Sequence, residues 1–166
     1  MRVSGILLAA GLSRRMGGRD KLLLDYKGVT LLRRASELLC GLPLYERIIV
    51  ITGARLDSFD LPPGIRAVIN PRPESGQSGS IRLGVEAASG DRYLFLSADQ
   101  PRLTAAGILP LLEKAAEDKI IFPLVNGRPS APAVFPARYR AELLGLTGDC
   151  GGRTLRDAYP EACLAV

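Results

Sequence analysis

Histidine and tryptophan are both absent from this sequence, and aromatic residues make up only 5% of it. Without histidine the protein has no imidazole base, no catalytic triad that contains one and no histidine-ligated metal site. With so few aromatic side chains, it offers little surface on which the bases of a single-stranded nucleic acid could stack. Any catalysis must therefore rest on carboxylates, cations, backbone amides or a bound metal ion.

Cysteines and long apolar runs are also scarce. Cys40, Cys150 and Cys163 are far apart and form no C-x-x-C pair, so neither a zinc site nor a disulfide framework is indicated. No apolar run approaches the roughly 20 residues of a membrane span, and the first residues do not have the pattern of a signal peptide. We therefore expect one cytoplasmic domain over residues 1–166, with no membrane partner.

The charge that is present is positive and local. The formal net charge is +5, and Arg14, Arg15, Arg19 and Lys21 lie within one short segment after Gly11. A nucleic-acid partner is one explanation of a basic chain. Because these cations cluster so closely, a small polyanionic ligand explains them better, and no nucleic-acid partner is expected.

Short apolar runs alternate along the chain with longer segments of helical spacing. This alternation predicts an α/β domain of three layers with a mostly parallel sheet. The predicted strands cover residues 3–9, 47–52, 67–69, 92–97, 120–122 and 133–135. Helices are predicted over residues 31–39, 80–88, 104–118, 137–144 and 152–159.

Chemically distinctive residues follow three of the predicted strands. Gly11, Asn70 and Asp99 come after the first, third and fourth strands. In a mostly parallel sheet, ligands bind at the carboxyl ends of the strands. We therefore expect these residues to lie around one ligand-binding site.

The segment from Gly11 to Lys21 has the chemistry of a phosphate-binding loop. Glycine lets the backbone approach phosphate oxygens closely, and successive backbone amides form an anion-binding concavity. Arg15 could reach terminal phosphates, and Lys21 would act as a point charge near the reacting centre. The alternative is a basic surface loop built around a tight turn, and the local sequence fits both.

Asp99 directly follows an apolar strand, in a turn that Pro101 restricts. Such a carboxylate suits Mg²⁺, which is often held by one or two carboxylates together with the phosphates of the substrate. The alternative is that Asp99 caps the helix beginning near Thr104 or stabilises the turn. The spacing is wide for a direct cap, which favours the metal ligand.

Small and polar residues follow the third strand, at Asn70 and in the run Gly76-Gln77-Ser78-Gly79-Ser80. Small side chains let a planar base or a ribose lie against the backbone, where amide and hydroxyl groups can bind its edge. The alternative is a loop that only caps the following helix.

Several motifs together resemble one family, over nearly the whole chain. The segment Leu8-Ala9-Ala10-Gly11-x-Ser13-x-Arg15-Met16-Gly17, followed by Lys21-Leu22-Leu23-Leu24, is similar to the signature of the molybdenum cofactor nucleotidyltransferases of the MobA-like NTP transferase family. This resemblance implies a Rossmann-like, GT-A-type nucleotidyltransferase fold. The runs at 76–80, 98–101 and 148–153 are closer to the cytidylyl than to the guanylyl branch.

The resemblance also implies a reaction, in which CMP passes from CTP to the phosphate of molybdopterin and pyrophosphate is released. Asp99 would hold Mg²⁺, and Arg15 and Lys21 would balance the charge of the leaving pyrophosphate. A molybdoenzyme or its chaperone is the implied protein partner. Ser78 and Ser80 are implied near the base or the acceptor phosphate. The other residues implied at the nucleotide are Leu8, Ala9, Ala10, Gly11, Ser13 and Asn70.

Two departures from the family pattern concern the acceptor side. Ala131 stands where the cytidylyl branch has a histidine, and the chain ends at Val166, before a further strand and a D-x-D-T-like segment. Asp149 is therefore our candidate for a second metal ligand or acceptor contact. The alternative for Asp149 is a helix cap beside Gly151 and Gly152. Two alternatives stay open. One is transfer from GTP or another NTP to a different phosphorylated acceptor, and the other is nucleotide binding without turnover.

Overall fold

The computed structural model describes residues 1–12 and 18–166, and these residues form a central seven-stranded sheet. Its strands are β1 (Val3–Ala9), β2 (Glu46–Ile51), β3 (Arg66–Ile69), β4 (Arg92–Ser97), β5 (Ile120–Phe122), β6 (Ala133–Pro136) and β7 (Cys163–Ala165). The order across the sheet is β7-β5-β6-β4-β1-β2-β3, and of these seven strands β6 alone is antiparallel to its neighbours.

Helices follow most of the strands and cover both faces of the sheet. They are α1 (Leu31–Gly41), α2 (Gly53–Asp57), α3 (Gln77–Ala87), α4 (Ala105–Lys114), α5 (Arg140–Leu144) and α6 (Arg153–Ala158). Single 3-10 turns lie at Lys21–Leu23, Pro73–Ser75, Ala115–Glu117, Ala137–Tyr139 and Pro160–Ala162. Two small hairpins pair Asp25–Tyr26 with Val29–Thr30 and Leu124–Val125 with Arg128–Pro129.

Two hydrophobic cores lie on opposite faces of the sheet, because successive side chains of a strand point to opposite faces. Leu7 of β1 belongs to one core together with Leu32 of α1 and Ile108 of α4. Its neighbour Ile6 belongs to the other core together with Ile81 of α3. The fold therefore has three layers, and the predicted α/β class with a mostly parallel sheet is confirmed.

Local interactions explain where the helices begin. Thr30 caps α1, because its Oγ1 accepts a hydrogen bond from the backbone N of Arg33 at 3.1 Å. The prediction for α3 was wrong at its start: the helix begins at Gln77 rather than Ser80, and Gly76 occupies the N-cap position. Ser78 therefore lies inside the first turn of α3 and does not cap it.

Three further differences concern short elements. The fourth helix ends at Lys114 and is followed by a separate 3-10 turn, where one helix to residue 118 was expected. Neither α2 nor β7 was predicted. The five residues of α2 are too few to show helical periodicity, and β7 is defined by its parallel pairing with β5, which only the tertiary structure supplies.

Candidate functional site

A cleft of about 580 Å³ opens at the carboxyl ends of β1 and β4. We call it the main cleft. Its walls contain both predicted carboxylates and several of the residues predicted at the nucleotide: Leu8, Ala10, Gly11, Ser80, Asp99 and Asp149. Loops that are distant in sequence therefore meet at the edge of the sheet where ligands bind in this class of fold.

Asp99 lies in the turn after β4 and is half exposed. Its Oδ1 accepts a hydrogen bond from Ser97 Oγ at 2.6 Å, and its Oδ2 is 3.8 Å from Lys21 Nζ. The alternative role as a cap of α4 is excluded, because Thr104 is the N-cap and its Oγ1 accepts from Gly107 N at 3.3 Å. The carboxylate of Asp99 therefore faces Lys21 and the main cleft.

Lys21 begins the 3-10 turn at the end of the basic segment, and Asp20 caps this turn by accepting from Leu22 N at 3.0 Å. The cap fixes the backbone just before Lys21 and so helps to place the lysine beside the turn after β4. Ser13 and Arg15, predicted to bind the nucleotide and the leaving group, lie outside the described residues and stay predictions.

Asn70 supports the main cleft and is not among the residues that line it. The residue is only 3% exposed. Its Nδ2 donates to Ser80 Oγ at 3.0 Å, and its Oδ1 accepts from Arg72 N at 2.9 Å. Asn70 therefore orients the hydroxyl of Ser80, which does lie on the cleft wall, and fixes the turn after β3. Ala9 is fully buried and also lies behind the wall.

Ser78 and Asp149 join the first turn of α3 to the loop that precedes α6. Ser78 is buried, and its Oγ donates to Gly148 O at 2.6 Å. Asp149 Oδ1 accepts from Gln77 N at 3.3 Å, at the helix end where the peptide dipoles favour negative charge. The alternative role of Asp149 as a cap of α6 is excluded, because Gly152 is the N-cap there without a side-chain bond.

A second cavity of about 490 Å³ adjoins the main cleft, and we call it the side cavity. The residues that line it include Phe95, Phe135, Arg153 and Arg156. Four residues line both cavities: Leu8 of β1, Gln77 of α3, Ser97 of β4 and Asp149 in the loop before α6. Ala131, the residue that departs from the family pattern, also lies on the wall of the side cavity.

Arg55 was missed by the sequence analysis, although it contacts the candidate site directly. It lies in α2 and is 5% exposed. Its guanidinium donates to Ala9 O at 2.7 Å, to Gly11 O at 2.6 Å and to Asp20 Oδ2 at 2.6 Å. Arg55 thus contacts both the beginning and the end of the basic segment. A local sequence pattern could not have indicated this, because its partners are 35 to 46 residues away.

Two absences hold for the part of the chain that the structure describes. Residues 1–12 and 18–166 contain no group of three or more His, Cys, Asp or Glu side chains that could hold a metal ion. The helices of the same residues are too short or too polar to cross a membrane.

Comparison with known proteins gives a family match over nearly the whole chain. The model of the MobA-like NTP transferase domain matches residues 5–163. A nicotine blue oxidoreductase of Paenarthrobacter nicotinovorans is 31% identical, over 95% of this chain and 83% of its own length. A probable molybdenum cofactor guanylyltransferase of Chloroflexus aggregans (strain MD-66 / DSM 9485) is 34% identical over 68% of this chain. The alignment spans only 53% of that guanylyltransferase.

A solved structure agrees on the fold. Rv0371c of Mycobacterium tuberculosis H37Rv superposes with a TM-score of 0.88, covering 99% of this chain and 88% of its own, at 22% identity. Identity at this level shows a shared fold and not a shared activity. With the family model matching residues 5–163, the chain belongs to the MobA-like NTP transferase family.

Proposed function

We propose that this protein is a Mg²⁺-dependent nucleotidyltransferase that transfers CMP from CTP to the phosphate of a molybdopterin-type acceptor. The observation that carries this proposal is the junction of the main cleft and the side cavity at Leu8, Gln77, Ser97 and Asp149. A nucleotidyltransferase must hold two substrates with an oxygen of one in line with the α-phosphorus of the other. Two adjoining cavities with different linings suit that requirement.

The main cleft supplies groups for the triphosphate. Backbone amides at Gly11 and the ammonium of Lys21 would hold the β- and γ-phosphates, whose charge becomes that of the leaving pyrophosphate. Ser80 Oγ accepts from Asn70 Nδ2, so its own proton is left to donate to the ribose or base. Leu8 and Ala10 would contact the nucleoside through apolar surface.

A magnesium ion fits the donor set on the cleft wall. Magnesium keeps several waters and takes one or two protein carboxylates besides substrate phosphates, so a site without three protein ligands is expected for it. Asp99 would be the main ligand, and Asp149 would be a second ligand or an acceptor contact. When bound there, Mg²⁺ would supply charge stabilisation for the phosphates that take part in the transfer.

The side cavity suits an acceptor that has an apolar part and a phosphate. Phe95 and Phe135 line it as members of the buried core, only 8% and 2% exposed, and give it an apolar floor; their ring centroids are 5.7 Å apart in an edge-to-face arrangement. The side chain of Arg153 is 80% exposed, so its guanidinium is accessible to a phosphate, and Arg156 lies over the ring of Phe122 at 4.8 Å. In the transfer, the acceptor's phosphate oxygen bonds to the α-phosphorus as the bond to pyrophosphate breaks.

CTP is our first choice of nucleotide because the runs at 76–80, 98–101 and 148–153 are closer to the cytidylyl branch. GTP is the alternative, since the similar protein from Chloroflexus aggregans is named a guanylyltransferase. A cytoplasmic molybdoenzyme or its chaperone would receive the product.

The test is to incubate the protein with Mg²⁺, molybdopterin and each of CTP, GTP and ATP, and to measure released pyrophosphate. We expect release that requires the acceptor and is fastest with CTP. Faster release with GTP would overturn the choice of base alone. If the protein binds a nucleotide but releases no pyrophosphate with CTP, GTP or ATP, it is a binding protein without turnover and the proposed reaction is wrong.

Oxidoreductase chemistry is the second candidate. It is favoured by the 31% identity, over 95% of this chain, to a protein named for that reaction. An oxidoreductase would change the absorbance of a coloured substrate only when a second compound donates or accepts the electrons, and it would release no pyrophosphate. Separate incubations with a coloured substrate and a nicotinamide cofactor as electron donor or acceptor, followed by absorbance and by pyrophosphate release, therefore distinguish the two reactions.

A further inference from the structure

The role of Arg55 extends beyond the packing of α2. Its guanidinium donates in three directions, to Ala9 O, to Gly11 O and to Asp20 Oδ2, at distances of 2.6 to 2.7 Å. Its side chain is 6% exposed and that of Asp20 is 28% exposed. The hydrogen bonds therefore join the end of β1 to the residue that caps the turn of Lys21.

Packing alone does not explain why a buried arginine stands at this position, because burying its charge costs free energy of folding. A charge removed from water destabilises the fold unless it is paired and its donors are satisfied, and an apolar side chain is often as good or better for stability. Here the planar guanidinium binds the carbonyl of Ala9 at the end of β1, and the carbonyl of Gly11 and the carboxylate of Asp20 at the two ends of the following segment. Lysine has a single nitrogen and could not span the same three acceptors.

We propose that Arg55 is a positioning residue that fixes both ends of the segment from Gly11 to Asp20 and thereby sets the affinity of the main cleft for a nucleoside triphosphate. That the ligand is a nucleoside triphosphate rests on the proposed function. That Arg55 connects the two ends of the segment rests on its hydrogen bonds to Gly11 and Asp20. Arg55 acts through the loop and does not touch the substrate. Lys21 follows Asp20 directly, so the ion pair between Arg55 and Asp20 also affects where the lysine lies.

The test compares Arg55→Met and Arg55→Lys with a matched control, Arg47→Met. Arg47 is a partly buried arginine whose guanidinium also binds backbone carbonyls: it donates to Leu39 O at 3.1 Å and to Leu42 O at 2.7 Å. These partners are at the end of α1 and outside the main cleft. Asp20→Asn, which removes only the carboxylate of the connection, serves if Arg55→Met does not fold.

Two measurements are made on each variant. Hydrogen exchange without nucleotide reports on the amides of residues 10–22. Calorimetric titration with CTP and with GTP, each with Mg²⁺, gives the affinity. We expect faster exchange in this segment and at least about 10-fold weaker nucleotide binding for Arg55→Met. Arg55→Lys should lie between Arg55→Met and the natural protein, and Arg47→Met should change neither measurement.

The outcomes distinguish this inference from the proposed function. Unchanged exchange in Arg55→Met, or an affinity within twofold of the natural protein, would overturn the positioning role. An equal loss of affinity in Arg47→Met would also overturn it, because the effect would then reflect general destabilisation. If the natural protein binds neither nucleotide while the exchange still responds to Arg55→Met, the proposed function fails and the connection is purely structural.

Discussion

Lys21 Nζ lies 3.8 Å from Asp99 Oδ2, which places the end of the basic segment beside the turn after β4. The two side chains are 45% and 51% exposed. An ion pair in such an exposed position contributes little to stability, typically about 0–1 kcal/mol. Its significance is therefore that a cation and a carboxylate, the two groups needed around a metal–triphosphate complex, are side by side at the cleft.

The first prediction concerns Asp99. In Asp99→Asn we expect turnover to fall by at least about 100-fold, because a charged group that acts on the reacting phosphates is lost. The melting temperature should stay close to that of the natural protein, since Asp99 is half exposed. Steady-state pyrophosphate release and a thermal melt measure both effects.

Asp57→Asn is the matched control for Asp99→Asn. Asp57 is exposed at the end of α2, away from the main cleft, and its replacement should leave turnover unchanged. Near-normal turnover in Asp99→Asn, with Mg²⁺ still required, would refute the assignment of Asp99 as the metal ligand.

Ser78 and Ser80 provide the second prediction, because they lie on the same turn of α3 with different partners. Ser78→Ala removes the hydrogen bond to Gly148 O, and we expect a loss of about 1–2 kcal/mol in the free energy of unfolding. Ser80→Ala removes a hydroxyl from the cleft wall and with it the acceptor of Asn70 Nδ2, so we expect a similar loss of stability and, in addition, a several-fold higher KM for the nucleotide. Chemical denaturation and kinetics on both variants test this, and an equal change of KM in the two would contradict it.

Gly76 provides the third prediction. Its φ is +94°, and a Cβ added there would lie 2.5 Å from Gly148 O. Gly76→Ala should therefore carry a backbone penalty of about 1–3 kcal/mol and also displace the loop that contains Asp149. We expect lower stability and lower activity together.

Gly64→Ala is the control for Gly76→Ala, since Gly64 has a similar φ of +86° but open space where the Cβ would be. It should show only the backbone penalty and keep its activity. If the two variants lose the same stability and both keep full activity, the close packing of Gly76 against Gly148 is not important for the site.

The fourth prediction concerns pH and Glu46, which precedes the buried part of β2. Burial alone would raise the pKa of Glu46. Hydrogen bonds from Ser4 Oγ, Ser89 N and Ser89 Oγ, together with the charge of Arg66, outweigh burial and lower the pKa below the ordinary value of 4.5. A carboxyl group with a lowered folded-state pKa stabilises the fold above its unfolded pKa, and this stabilisation is lost as pH falls through the folded pKa.

Glu46→Gln should therefore destabilise the protein by about 1–3 kcal/mol at pH 7, where the carboxylate accepts these hydrogen bonds. The difference should shrink as the pH falls below 4.5. Urea unfolding at pH 7 and pH 3 measures it, with the exposed Glu113→Gln as control. A difference that is the same at both pH values would show that the charge of Glu46 is unimportant.

The sequence predicted the central strands well because their patterns are local. The bounds of β1 and β4 agree with prediction to the residue, since each is a short apolar run with a polar or glycine-rich boundary. The carboxyl ends of these strands then placed Gly11 and Asp99 at one edge of the sheet. This part of the site followed from the topology of a mostly parallel sheet.

The rest of the site depends on contacts that no local pattern encodes. The start of α3 was expected at Ser80, and an error of that size changes which side chains of the first turn face the cleft. Hence the sequence could not distinguish Ser80, on the wall, from the buried Ser78. Arg55 was missed for a related reason, because its three acceptors belong to a segment more than thirty residues earlier.

The central claim is that the α-phosphate of a nucleotide is transferred intact to a second substrate. It is tested most directly with two samples of CTP, one labelled at the α-phosphorus and one at the γ-phosphorus, each incubated with Mg²⁺, molybdopterin and the protein. We predict that the α-label appears in a dinucleotide product and the γ-label in pyrophosphate, in equal amounts and only when acceptor is present. The account would be contradicted if the α-label were never found joined to the acceptor, whether the labelled nucleotide is CTP, GTP or ATP.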